Sequence, residues 1–536
     1  MDQVNSVRRN GPVDMLAHAR WPLILLMLLY WATSLERLAV YPLVGEDEPW
    51  IAAAPYKLAT EGIFGSDLFA GYYGMDRHHY QHLPAFHLLE AGVFFLGGVG
   101  VFQMRLLPVI LGLLILPLSF AVGRQIGGAR AGIVAVLLLC TLRFAGGATV
   151  SGIPLLDIAR INRYDVGVPA MGLAALWMFD RAEKTRAMLW YGASGAAAGL
   201  AGLFHMYGLF WLAVFWLILL SRRGVRLFRQ KAAYSILAGA CLVWLPWLLY
   251  VAAGWNDFLG QQRFIADRLD LLNIRFYLTN LLHEIDRYRA ADIFDEAGRL
   301  QLTRPGLWAT LFGLPISLLL LWRERRQPGQ ALILALGVHI ILFALLLKQK
   351  HYNYMIAFWP LMMVALACGG ALLWRPNRAR FLVLLVLLPV LVEGLAGISQ
   401  RRTMAARVTP YETYMAEVAD YIPEHSLVLG LQHYWLGLRQ YPYRTWLLPL
   451  FMAEPRWYSE SLTLEQALER VDPDVVLIDR HMAQLFARMA NAQDPDHERY
   501  LQFWRFMERH EAVLVGAVED GDYGRMEVFR LSSGRE

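Results

Sequence analysis

The sequence predicts a polytopic α-helical membrane protein with about 11 transmembrane helices and a small C-terminal α/β domain outside the membrane. Three observations carry this expectation. Hydrophobic residues make up 57% of the 536 positions and charged residues only 18%, far from the balance of a water-soluble enzyme. Apolar runs of about 17 to 22 residues recur, bounded by Arg or by Trp and Tyr, as membrane helices with aromatic belts are. Beyond residue 397 the chain turns more polar and mixes helical with strand-like periods.

Taken in order, spans are expected at about 21–43, 105–123, 131–149, 166–180, 187–203, 206–221, 232–253, 306–322, 330–347, 355–373 and 381–397. The first has no small-residue cleavage site behind a short apolar core, so it reads as a retained span. The short connections 123–130, 180–186, 221–231, 322–330 and 374–380 carry Lys and Arg with few acids. With Arg8, Arg9 and Arg20 inside, eleven spans place each of these connections on the cytoplasmic face. The segment 83–98 is apolar but short and holds His87 and Glu90. Counted as a span it would reverse the later loops, so it is expected to lie on the outer membrane surface.

Two domains follow, 1–397 in the membrane and 398–536 outside it. The outward pieces are 44–104, 150–165, 254–305, 348–354 and the tail. In the tail, "SLVLGL", "DVVLID" and "EAVLVGAV" read as short strands and "LEQALERV" as an amphipathic helix. Cys140, Cys241 and Cys368 all fall in apolar runs and have neither disulfide nor metal spacing. No basic domain or binding motif points to nucleic acid.

The chemistry-bearing residues gather on the outer side of this topology. Asp47 and Glu48, in "GEDEPWIA", follow the first span. Asp165, in "ARINRYDVGV", precedes the fourth, with Arg160 and Arg163 on its approach. His205 sits at the outer junction of spans five and six, and Lys350 and His351 between spans nine and ten. Carboxylates and cations around one membrane-surface cavity suit a lipid-phosphate substrate and an acid/base step. Each group also has a plainer reading. Glu46, Asp47 and Glu48 suit a helix start, and Pro49 the first turn. Asp165 suits an anchor for Arg163, Lys350 a snorkelling helix end, and His205 a hydrogen-bonded core histidine. The run "MDRHHYQH", with His78, His79 and His82, has metal-compatible spacing but lacks a second strong ligand set, so it reads first as a wet loop.

The order of these motifs resembles the GT-C membrane glycosyltransferases, of the protein O-mannosyltransferase and lipid A aminoarabinose transferase type, over about residues 20–375. "GEDEPWIA" is similar to the first outer-loop Asp-Glu motif, with Asp47 at the catalytic position. "HLPAFHLLEAGVFFLGGVGVFQMRLLPVILG" is similar to a Lys-Pro-Pro-Leu surface helix and an Arg-led span, with Arg105 as that Arg. "ARINRYDVGV" resembles the Arg-x-Asp motif, "GLAGLFHMYG" the Lys/His-x-x-Gly segment and "KQKHYNYM" the Lys-x-x-Tyr segment. His82 and His205 stand where many members carry Lys.

The resemblance implies an inverting transfer from a polyprenyl-phosphate sugar to a lipid, glycan or protein acceptor, on the outer face of the inner or plasma membrane. On this reading Asp47 is the general base, Glu48 tunes it or starts its helix, and Asp165 orients a cation or the acceptor. Arg163, Lys350, His351, His82 and His205 would hold the donor phosphate. Tyr352, Tyr354, Arg105, Arg263 and Arg268 would line the lipid and acceptor groove. No cofactor is required by this pattern, and a divalent metal stays open. Three alternatives remain: a polyprenyl-linked glycan ligase or polymerase using the basic residues of 254–305, a lipid or solute transporter, and, last, a non-catalytic scaffold.

Overall fold

A computed structural model describes residues 12–147, 150–294, 298–301, 303–374 and 377–532. Each expected span holds a helix. Six helical segments are long and apolar enough to cross a membrane: Val101–Gly127, Met206–Arg229, Lys231–Ala253, Pro305–Glu324, Gln327–Leu346 and Arg380–Ala405. Shorter apolar helices include Ala19–Leu35, Ala129–Thr141, Met188–Phe204 and Trp359–Leu373. The chain is an integral membrane protein, and the sides of its helices say where lipid lies. Lys231–Ala253 buries a narrow stripe and turns Leu242, Leu245, Leu248 and Leu249 outward, while the last long helix turns Phe381, Leu382, Leu385 and Leu388 outward. Such large exposed apolar faces are stable only against lipid or a partner.

Small residues let these helices approach. Met188–Phe204 packs on Lys231–Ala253 through Gly195 and Gly199, and a Cβ at Gly195 would stand 1.9 Å from the Ile236 carbonyl oxygen. Close backbone approach of this kind is how helices gain packing energy where no water is expelled.

The helix expected over 131–149 ends at Thr141. Residues 142–147 leave the helix because Phe144 and Ala145 bond the Gly152 carbonyl instead, and Gly146 N–H bonds Ala291. Arg143 reaches sideways to Gln400 at 2.8 Å. Ala148 and Thr149 lie outside the described residues. The last helix continues past residue 397 to Ala405, so the expected domain boundary falls inside it.

Segment 83–98 is the helix Pro84–Gly97, about 21 Å long at 1.5 Å per residue and so too short for a bilayer core. It buries His87, Glu90 and Phe94 and exposes Leu88, Leu89, Phe95 and Leu96.

The tail folds around a five-stranded sheet. Its strands are β1 (Val428–Gly430), β2 (Tyr443–Thr445), β3 (Val475–Asp479), β4 (Val513–Asp520) and β5 (Gly524–Arg530), in the order β2-β1-β3-β5-β4. β1 pairs in parallel with β2 and β3, and β5 lies antiparallel between β3 and β4. The three expected strands are β1, β3 and β4, and the expected helix is Leu464–Val471, with a Thr463/Gln466 capping box. The sheet shares one apolar cluster with the outer loop. Tyr72 stacks on Tyr458 at 5.8 Å, Tyr56 meets Trp435 edge-on at 5.2 Å, and the Tyr72 hydroxyl donates to the Trp457 carbonyl at 3.0 Å. The tail therefore helps fix the loop that carries Asp47 and Glu48.

Candidate active site

Asp47 and Glu48 are the first two residues of the helix Asp47–Glu61, with Pro49 in its first turn. The helix start thus orients both carboxylates, and it sends them in opposite directions. Glu48 turns inward. Its Oε1 and Oε2 accept from Arg105 Nη2 and Nε at 2.7 and 2.8 Å, from Gly45 N–H at 2.9 Å and from Asn162 N–H at 2.8 Å. Arg105, wholly buried, also donates to the carbonyls of Leu38 and Leu43 at 3.0 and 3.3 Å. A buried ion pair persists only when its remaining lone pairs and protons are satisfied, as here. Glu48 and Arg105 therefore tie the helix start to the first span and to the 160–163 segment, and Arg105 is an ion-pair partner inside the fold rather than a groove wall.

Asp47 turns outward, its side chain 54% exposed. Its Oδ2 accepts from Arg163 Nη1 at 2.8 Å, and its other oxygen has no partner among the described residues. Arg163 is placed by the segment before it. Arg160 donates to four carbonyls between Thr33 and Tyr41, clamping the turn after the first helix, and Arg163 then leaves in extended backbone. Its Nε donates to Asp165 Oδ2 at 2.7 Å. Asp165 Oδ1 accepts from the Tyr207 hydroxyl at 2.5 Å. The line Asp47–Arg163–Asp165–Tyr207 thus runs across three chain segments.

Gly167 makes this meeting possible, because a Cβ there would stand 2.1 Å from the Phe204 ring. His205 follows in extended backbone, its ring stacked on Tyr207 at 3.9 Å and tilted against Tyr164 at 5.3 Å. His82 flanks Tyr164 on another side at 5.5 Å. Tyr354 lies 5.7 Å beneath the Arg163 guanidinium and 5.7 Å from His351. Burial pushes the Asp165 carboxyl up, but Arg163, His205 and the Tyr207 hydroxyl outweigh it and hold Asp165 below the usual range. Burial, with Arg163 nearby, lowers His351 against the opposing pull of Asp47 and Asp165.

Lys350 is placed differently. Its ammonium pairs with Glu284 at 2.8 Å and donates to the Ala344 carbonyl at 2.9 Å. Arg287 grips the same Glu284 at 2.7 Å and the His351 carbonyl at 3.1 Å. Arg263 lies over Tyr73, and Arg268 over Phe264 with Gln349 at 3.3 Å, so neither adjoins Asp47 through the contacts it makes. Tyr352 is set apart from Tyr354: its hydroxyl is buried without a partner among the described residues, within electrostatic reach of Asp157 and Arg304.

Residues 77–259 match the family model of dolichyl-phosphate-mannose-protein mannosyltransferase. The chain is similar in structure to ArnT from Cupriavidus metallidurans in the apo state, with TM-score 0.63, 15% identity, 96% of this chain and 99% of that chain covered. ArnT bound to undecaprenyl phosphate gives TM-score 0.61 at 16% identity, covering 94% and 97%. The archaeal oligosaccharyltransferase AglB from Archaeoglobus fulgidus, in complex with an inhibitory peptide and a dolichol-phosphate, gives 0.55 at 12%, covering 88% and 71%. The fold is that of the GT-C membrane glycosyltransferases. No curated protein matches the chain in sequence.

Within that GT-C frame, the matched segment holds His82, Arg105, Arg163, Asp165 and His205, while Asp47 and Lys350 lie outside it. Tyr207 and Tyr164 join the site without having been singled out in the sequence. Both stand inside motifs that drew notice for a neighbouring charge, and their hydroxyl and ring roles leave no periodic signal.

Proposed function

We propose that this protein is a polyprenyl-phosphate-dependent glycosyltransferase whose site opens on the outer face of the inner or plasma membrane. The observation that carries the reading is Asp47: a half-exposed carboxylate at a helix start, held by Arg163 through one oxygen and open at the other. An acceptor hydroxyl or amine attacks the anomeric carbon of the donor. The bond from that carbon to the phosphate oxygen breaks, the polyprenyl phosphate leaves with the electron pair, and Asp47 takes the acceptor's proton. A single displacement of this kind inverts the anomeric centre.

Arg163 faces the growing negative charge of the leaving phosphate. Two of its nitrogens hold Asp47 and Asp165, and Nη2 has no protein partner among the described residues. Asp165 and Tyr207 fix the guanidinium, and Tyr354 supports its face. His351 lies at the edge of the same group. Lys350, tied to Glu284, contributes by fixing the 347–351 loop and by adding charge near the phosphate. The arginine-rich short connections support an outward orientation for this face, in which Pro84–Gly97 lies flat on the membrane surface and the sheet of the tail turns toward the acceptor.

Undecaprenyl phosphate binding tests the phosphate site. Arg163→Ala is expected to weaken it by about 1.5–3 kcal/mol, the usual worth of a charge-assisted contact, and Lys350→Ala by less, because its ammonium already has Glu284. Parent-like affinity in both variants would move the phosphate elsewhere.

A further inference from the structure

The outer loop places four histidines within ten residues: His78, His79, His82 and His87. The fold sorts them. His78 turns outward toward Asp257, at 3.4 Å. The other three turn toward one another, their ring centroids 5.3, 5.4 and 5.4 Å apart. Three imidazoles sharing one tetrahedral ion, with bonds of about 2.0–2.1 Å, would place their centroids about 5.2 Å apart. One ring nitrogen from each lies within 4.8 Å of the others. His79 Nε2 and His82 Nδ1 stand 3.2 Å apart, against about 3.3 Å between neighbouring ligand atoms of such a tetrahedron.

A purely structural histidine cluster leaves one atom unexplained. His87 Nδ1 faces the Leu83 carbonyl oxygen at 3.0 Å. That oxygen only accepts, so Nδ1 carries the hydrogen and Nε2 is a bare lone pair. His87 Nε2 is buried without a partner among the described residues, on a side chain that is wholly enclosed. An imidazole held by a carbonyl at one nitrogen and bare at the other has the second-nitrogen contact typical of metal-ligating histidines.

We propose that His79, His82 and His87 bind one borderline divalent cation of the zinc class, with a fourth position open beside Tyr164. His82 and Tyr164 are the partly exposed members of this wall, so the fourth position is the one nearest the open side. Imidazole suits zinc, copper and nickel and disfavours the oxygen-seeking magnesium and calcium. The cation also answers a question of charge. His82 and His205 flank Tyr164, and a bound cation adds positive charge to that wall, where a lipid phosphate would meet it. This last step rests on the donor chemistry proposed above, whereas the metal site itself does not.

The test uses tag-free, full-length protein in detergent, stripped with chelator and reloaded with zinc, or with cobalt(II) as a spectroscopic probe. One zinc per chain is expected, with the visible bands of four-coordinate cobalt. His79→Gln and His87→Gln should each lose the ion while keeping the metal-free elution profile. His481→Gln, in the separate tail group of His433, Asp479 and His481, should keep it. A parent that binds no zinc, or a His79→Gln protein that binds as the parent does, overturns the site. Should the variants not fold, X-ray absorption of the zinc-loaded parent decides: three imidazoles in the shell support the site, and two or fewer overturn it. Undecaprenyl phosphate affinity of the parent should fall about tenfold on stripping. Unchanged affinity overturns the phosphate role and leaves the metal site standing. No binding in either form overturns the donor reading instead.

Discussion

Asp47→Asn is expected to lower sugar transfer per folded molecule by roughly 10²–10⁴-fold, the usual worth of a general base. The substitution keeps size and can still accept a hydrogen bond from Arg163, so it separates basicity from packing. It also frees Arg163 from one of its two carboxylates. Donor phosphate affinity should therefore stay level or rise, not fall. A helix-start acid would behave differently: its loss would cost some stability through the macrodipole and leave normalised turnover near that of the parent. Transfer measured against folded protein, with undecaprenyl phosphate affinity measured in parallel, distinguishes the two.

Breaking the Glu48–Arg105 pair should have the largest effect on stability. Both side chains are buried and hydrogen-bonded throughout. Arg105→Met strands the Glu48 carboxylate in the interior, at an expected cost of about 3–5 kcal/mol. The double substitution Glu48→Leu with Arg105→Met removes both charges and should recover part of that loss, although Gly45 and Asn162 then lose their acceptor. Thermal unfolding of the four proteins of this cycle in detergent gives the coupling directly. Additive losses would mean that the pair is not the anchor described here. Glu48→Gln should cost far less turnover per folded molecule than Asp47→Asn, since Glu48 faces the interior and Asp47 the open side.

The membrane helices were legible because their cause is local. A bilayer demands long apolar runs and satisfied backbone groups, and such runs stand out in the sequence itself. The early end of the helix at Thr141 was not legible, because what stops it is a contact with Gly152 and Ala291 from distant sequence. In the tail, β1, β3 and β4 show as apolar runs. β2 is three residues long, and β5, "GRMEVFR", alternates charge with apolar side chains, so neither stands out. The candidate site was legible as a set of charges on one face. Its pairing was not: that Glu48 goes to Arg105 while Asp47 goes to Arg163 depends on the direction of one helix start, and the Lys350–Glu284 pair joins loops about 66 residues apart. The third histidine, His87, lies on a helix outside the run that signalled metal spacing, and only the fold brings it to His79 and His82.

The most direct measurement of the central claim uses sealed right-side-out membrane vesicles carrying the protein and a panel of labelled undecaprenyl-phosphate pentoses, hexoses and amino sugars. The account predicts that label leaves at least one of these donors, with undecaprenyl phosphate released on the outer face and the anomeric configuration inverted. Asp47→Asn vesicles should show little of this transfer. If no donor in the panel loses label faster with the parent protein than with Asp47→Asn, or if transfer occurs only in inverted vesicles, the account is contradicted.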